Sequence, residues 1–351
     1  MTGIVLRARL LSELSDLPSS LPHASQRRFA YYDKVIVLVD PKTYGENPDD
    51  PLGERVFPRV VDLATTLNSP RSDDYATLQC KGYFEENMQF CFIYHLPPGC
   101  EPPPTSKPPP SLLEQVTSSF KPSVTARIRL AYHLALSISK IHNDGWLHKG
   151  IRSENVLFFP RRWGGPRSLD NPRLVGFDFA RKEGPDEYSE KPLLVEPSIL
   201  TPIFIYSLAS FDTLINKNLK RRKTDINIYR HPDALRDPNT TFAREHDYYG
   251  LGVVLVEIAV WRSAKSILKK HADLQRGECK ENDVRKIRDI LLDEDSQENH
   301  PRDIAFRMGE IYWNVVKLCL TGDFGVPKSA QEQLTLAFER DVVGQLRRCV
   351  I

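Results

Sequence analysis

Four short stretches of this 351-residue chain set chemistry-capable side chains among apolar neighbours. His148-Lys149-Gly150-Ile151-Arg152-Ser153-Glu154-Asn155-Val156-Leu157 combines an imidazole, an amide and charges of both signs. Leu174-Val175-Gly176-Phe177-Asp178-Phe179-Ala180-Arg181 holds a carboxylate between two rings. Tyr229-Arg230-His231-Pro232-Asp233 and Asp247-Tyr248-Tyr249-Gly250-Leu251-Gly252 follow, and Lys42 closes an apolar run far upstream. Carboxylates grip hard cations, whereas one neutral amide seldom holds Mg²⁺ without a carboxylate beside it. No glycine falls between Gly3 and Gly45. That stretch therefore contains no G-x-G-x-x-G turn to bring bare backbone N–H groups against a phosphate. The six cysteines, at 80, 91, 100, 279, 319 and 349, form no C-x-x-C pair and have no histidine at ligand spacing. Reduced, mostly buried thiols are the expectation.

These residues need a scaffold, and the composition permits one. Hydrophobic residues make up 40% and charged residues 27%, ordinary values for a globular chain. A net charge of +2 implies neither general nucleic-acid binding nor attraction to a membrane surface. No apolar segment approaches the ~20 residues that span a bilayer, and no signal-peptide core opens the chain. The cytosol is the expected compartment, with the nucleus as the other choice.

The hydrophobic pattern changes along the chain. Residues 1–30 read as an N-terminal extension with the first strands. Lys34 to Val39 is a β-branched run expected to be a buried strand, and Pro41 with the cluster at 45–51 is expected to be loop. Apolar residues at 56, 60, 63, 64 and 67 predict a helix over 54–67, with Pro58 fitting only near its first turn. Strands are expected over 78–84 and 89–96. Prolines crowd 97–110 and predict a stiff connector. Beyond it, 123–143 is an amphipathic helix, 156–159 and 173–175 are short strands, and 248–261 is apolar enough to be buried on every side. Residues 265–303 are highly charged and helix-prone, and read as an exposed insertion. Helices are expected over 305–320 and 329–346. The cluster Lys217, Lys220, Arg221, Arg222 and Lys223 reads as a solvated loop. The competing idea is a docking or nuclear-import patch, with Thr224 or Tyr229 as phosphorylation sites.

The four stretches, in this order and spacing, resemble the signature motifs of protein kinases. The first is similar to H-R-D-L-x-x-x-N, the second to the D-F-G segment, the third to A-P-E, and the fourth to the start of the buried helix. Val37-Leu38-Val39-Asp40-Pro41-Lys42 is similar to the V-A-I-K strand, and Tyr94-His95-Leu96-Pro97 to the hinge. Gly145 to Arg152 and Leu174 to Asp178 further resemble a kinase-like family of filamentous fungi, often found behind a helical HeLo (prion-inhibition) domain. The resemblance implies an α+β, bilobal fold with a small β-rich N-lobe over 31–96 and a mostly helical C-lobe over 123–351. Residues 97–122 would form the hinge and connector, and insertions would fall near 181–228 and 264–303.

The same resemblance assigns roles and exposes losses. Gly150 and Gly176 stand where kinases carry the proton-accepting aspartate and the Mg²⁺-binding aspartate. Asp178 and Glu154 are the nearest substitutes. Asn155 matches the second metal ligand, or else serves as a loop-stabilising partner. Lys42 matches the phosphate-contacting lysine, or else is a solvated strand-end residue. Arg59 or Val60 falls where the partner glutamate of Lys42 would be, and Glu54 and Asp62 lie out of register. His148, Lys149, Asp247, Tyr229 and Pro232 are expected to serve the fold, with Asp247 at the helix N-cap. ATP and Mg²⁺ are the cofactors that the resemblance names and that these losses weaken. The expectation is a pseudokinase acting as a signalling module with protein partners, an upstream HeLo-type domain or a signalling partner among the candidates, and no nucleic acid. The alternatives are an active atypical protein kinase and an ATP-binding switch without turnover.

Overall fold

The computed structural model describes residues 14–16, 27–43, 52–69, 75–86, 89–100, 108–159, 169, 171–177, 180–184, 225–237, 240–274, 286–295, 300–327 and 330–350. The architecture is mixed α+β. Five antiparallel strands form the first layer: β1 (Leu14–Asp16), β2 (Arg28–Tyr32), β3 (Val35–Thr43), β4 (Cys80–Glu86) and β5 (Gln89–His95). Their order is β1-β2-β3-β5-β4, so β3 is central. The β2–β3 turn sets both Asp33 and Lys34 at positive φ, 48° and 60°, the handedness that suits a two-residue hairpin. Both faces of β3 are buried. Leu38 joins the main core, while Val37 and Val39 pack with Ala30, Tyr32, Phe84, Cys91 and Ile93 on the other side. Helix α1 (Leu52–Asn68) covers the main-core face with Val56, Val60, Leu63, Ala64 and Leu67.

Two prolines sit where the sequence reading did not put them. Pro41 lies within β3, paired in register with Cys91, rather than in the following loop. Pro58 is interior to α1, which begins a half-turn earlier than expected. Its missing N–H removes one bond to the preceding turn, and the ring points to the exposed side.

The second layer is helical. Short helix α2 (Leu112–Thr117) was not foreseen in the connector; Ser111 Oγ caps it by accepting the Glu114 N–H at 3.3 Å. Helix α3 (Val124–Asn143) is capped in the same way by Ser123, and strand pairs β6 (Trp146–Leu147) with β9 (Arg181–Lys182) and β7 (Val156–Phe158) with β8 (Pro172–Leu174) follow. Helix α4 (Pro232–Arg236) precedes α5 (Arg244–Val260), in which every residue from His246 to Ala259 is buried. Gly252 makes that enclosure possible: a Cβ there would lie 2.9 Å from Leu320 Cδ2 and 3.0 Å from Cys319 Cβ.

The charged 265–303 stretch is not simply an exposed insertion. Helices α6 (Ala264–Leu274), α7 (Ile287–Leu292) and α8 (His300–Met308) turn Ile267, Leu268, Ile287, Leu291 and Ile304 into the core. Their charges occupy the other face, as amphipathic helices require. The helix expected over 305–320 is broken at Gly309, whose φ of +90° separates α8 from α9 (Glu310–Thr321). The C-terminal segment runs as α10 (Gln331–Phe338), a wider π turn over Glu339–Val343, and α11 (Gly344–Arg348). Among the described residues no helix is long and apolar enough to cross a membrane. Cys80, Cys91 and Cys319 are buried, whereas Cys100 and Cys349 are partly exposed; Cys279 lies outside the described residues.

Candidate functional site between the sheet and the helices

The 148–155 loop is held from below by α5. Asp247 accepts the N–H groups of His148 at 2.7 Å and Lys149 at 2.8 Å, and its Oδ2 lies 3.0 Å from His142 Nε2. Burial pushes the Asp247 carboxyl up, but the His142 hydrogen bond and charge and the His148 N–H outweigh it, leaving the group below its ordinary value. Helix α5 starts at Arg244, so Asp247 lies in its first turn and not at the N-cap. The anchoring role stands; the position does not. His148 is fully buried, its ring 4.3 Å from that of Phe177, and its Nδ1 accepts the Gly150 N–H at 3.1 Å. Lys149 adopts a φ of +60° and sets its ammonium over the Phe242 ring.

Asn155 is the hub of the site. Its Nδ2 donates to the Gly150 carbonyl at 2.7 Å, and its backbone oxygen accepts the Val175 N–H at 2.9 Å. Its Oδ1 accepts from Arg27 Nη2 at 2.6 Å. The same guanidinium donates to the Glu154 carbonyl at 3.0 Å and, through Nε, to Asp40 Oδ1 at 2.7 Å. The other oxygen of Asp40 accepts the Gly176 N–H at 3.1 Å. Thus β3, the residue preceding β2, the 148–155 loop and the segment after β8 share one hydrogen-bonded cluster, in which Asp40 is 4% and Asn155 0% exposed.

The two glycines belong to this cluster as space, not only as missing side chains. A Cβ on Gly176 would sit 2.3 Å from the Asn155 amide, on a backbone whose φ is +79°. A Cβ on Gly150 would meet the Gly176 carbonyl at 2.8 Å. The Asn155 side chain therefore fills the position from which a residue-176 side chain would leave the backbone.

Of the proposed substitutes, Glu154 turns its half-exposed carboxylate to Arg152, with Oε2 3.3 Å from Nε. Asp178 lies outside the described residues, as do Thr224 and the basic cluster at 217–223. Lys42 is 2% exposed, which excludes a solvated strand-end lysine. The Tyr229 hydroxyl donates to Glu257 Oε1 and lies 2.8 Å from Ser153 Oγ. Pro232 opens α4, where its lack of an N–H costs nothing.

No model of a protein family matches this chain. No curated protein matches it significantly either.

A magnesium nucleotide fits this cluster poorly. The side-chain oxygen of Asn155 is already given to a cation, and the Asp40 carboxylate is divided between that cation and a backbone N–H. Among the described residues no group of three or more His, Cys, Asp or Glu could hold a metal ion. Sequence reasoning gave neither Arg27 nor Asp40 a role. Asp40 carried a signal, a carboxylate inside the buried run 37–42. Arg27 carried none, because its partner Asn155 is 128 residues away.

Glu257, on α5, was also missed. It is fully buried, and its Oε1 accepts both the Tyr229 hydroxyl at 2.8 Å and the Ala264 N–H at 2.7 Å. Burial raises its carboxyl from 4.5 to about 7 despite those bonds, with the nearby Glu154 charge adding to the rise.

Proposed function

We propose that this chain is a protein-kinase-like domain that does not transfer phosphate and works instead as a signalling or regulatory binding module. A small antiparallel sheet with one helix, followed by a helical layer, agrees with the bilobal arrangement that the motifs imply. The observation that carries the reading is the Arg27 guanidinium bound between Asp40 and Asn155. A fixed cation of the protein itself holds the side chain that would otherwise ligate a metal, and Asn155 packs into the space beside Gly176. Phosphoryl transfer depends on metal ions and a positioned base, and a missing base alone removes about 10² to 10⁴ in rate. The resemblance to fungal kinase-like domains suggests self-recognition or cell-death signalling through protein partners.

The purified chain incubated with radiolabelled ATP, Mg²⁺ or Mn²⁺, and a general acceptor protein tests this. No incorporation above a heat-denatured control is expected. Steady transfer that disappears in Lys42→Ala would establish the active-kinase alternative instead. Burial of Lys42 within β3 favours a second reading, an ATP-binding switch without turnover.

A further inference from the structure

Two histidines cap neighbouring helices with the same ring atom. His231 is the N-cap of α4, where its Nδ1 accepts the Asp233 N–H at 3.2 Å. His246, in the first turn of α5, reaches back with its Nδ1 to accept the Ala243 N–H at 2.8 Å. An imidazole nitrogen accepts only while it carries no proton, so each cap exists only with a neutral ring. The two rings meet edge to face with centroids 4.9 Å apart, and they are 5% and 6% exposed. A positive charge on either would sit out of water against the other.

The surroundings do little to stabilise such a charge. A proton on His246 Nδ1 would set two N–H donors against each other across 2.8 Å. The Ala243 carbonyl lies 3.2 Å from the same atom, but it already accepts the His246 backbone N–H at 3.0 Å. His246 Nε2 is buried and meets no hydrogen-bond partner among the described residues. Phe242 stacks on the ring, with the Lys149 ammonium on Phe242 and Arg181 bonded to the Phe242 carbonyl. The N-terminus of α5 also disfavours a cation. Of the acids on α5, Glu245 flanks His246, and Asp247 is bonded by the His148 and Lys149 N–H groups; Arg244 is held by Glu183. On α4, Asp233 Oδ2 lies 3.5 Å from His231 Nδ1, and Arg236 shares that carboxylate; Arg230 adjoins His231 in the chain. Tyr249 packs its ring 5.2 Å from His231, with the charges of Arg288 and Asp289 on α7 beyond it. Burial outweighs the charges of Glu245, Asp247 and Asp233, and holds the His246 imidazole below its ordinary value.

We propose that His231 and His246 form a proton-sensitive latch, which joins the 229–237 segment to the start of α5 at neutral pH and opens in mild acid. Asp247, next to His246, anchors the 148–155 loop, so the latch lies one residue from the contact that shapes the candidate site. An opened histidine takes up a proton near 6.5, whereas the closed pair excludes it. The closed form is therefore fully favoured above that pH and loses ground as pH falls below it. Glu257 acts with the opposite sign on global unfolding, so a local readout separates the two. The inference goes beyond the function proposed above and does not rest on it, because the latch stands whether or not the chain transfers phosphate.

Amide hydrogen exchange of the whole chain, corrected for the intrinsic rate, tests it. Protection of the Asp233 and Ala243 N–H groups should fall about tenfold between about pH 7.5 and about pH 5.5, as expected for one excluded proton. Protection of Val316, buried in α9, should hold. His231→Asn and His246→Gln each keep a capping acceptor that does not titrate. The double variant should match the parent near neutral pH and lose the pH dependence. His246→Leu, which has no acceptor at any pH, should leave Ala243 poorly protected throughout. The parent's own profile decides the sign, so the test does not depend on a variant folding. Protection of Asp233 and Ala243 that is unchanged in acid, or a loss equal to that at Val316, would overturn the latch. So would a pH dependence that persists in the double variant.

Discussion

An aspartate introduced at position 176 would have its Cβ 2.3 Å from the Asn155 amide, on a backbone with φ of +79°. Overpacking of this kind costs about 1–3 kcal/mol, and the left-handed backbone adds about 1 kcal/mol for a non-glycine residue. Gly176→Asp should therefore lose roughly 3 kcal/mol in urea unfolding and gain no phosphotransfer. The loss should shrink when Asn155 is also shortened to alanine, with a coupling of about 1 kcal/mol or more in a double-mutant cycle. Additive losses would mean that the amide does not occupy that space. At this scale the sequence exposed the absent carboxylates, because glycine at both positions is visible in the chain. It did not expose what fills their place, since Asn155 reads identically as a metal ligand and as a packed hub.

The elements that were easy to read owe their shape to local pattern. Helix α5 is apolar on all sides because it is enclosed by other helices, and α3 shows its buried face at helical spacing. Strand β1 has only three residues and offers no period to detect. The helix-prone character of 265–303 was legible, but its charges hid the burial of α6 to α8, in which Ile267, Leu268, Ile287, Leu291 and Ile304 supply the buried stripe. Helix α5 also sets a pH dependence. The folded chain keeps Glu257 protonated up to about 7, whereas the unfolded chain ionises it near 4.5. Between those values the folded state binds more protons, so stability falls as pH rises and levels off above about 7. A shift of that size corresponds to about 3 kcal/mol. Glu257→Gln should flatten the profile and raise the melting midpoint at pH 8 while changing it little at pH 4. Parallel profiles for the two proteins would contradict the assignment.

Across the whole molecule, the contact between sheet and helices is made by the chain's own groups. Arg27 and Asp40 reach from the sheet to Asn155 and Gly176, and the Leu174 N–H donates to the Ala76 carbonyl at 2.6 Å. Lys182 on β9 also pairs with Asp62 on α1, a half-exposed contact of little weight. Removing Arg27 would leave the Asp40 carboxylate buried without its cation, a costly state. Apart from the carboxylate of Asp40 inside a buried run, this was not legible in the chain, because the partners meet only after both layers have formed. The central claim is that these groups satisfy one another where a magnesium nucleotide would bind. Thermal unfolding titrated with ATP and Mg²⁺ tests it most directly. The account predicts a midpoint that does not move with ATP, with or without the metal. A saturable rise, reaching about 2.7 kcal/mol at 100 times the dissociation constant and lost in Lys42→Ala, would contradict it.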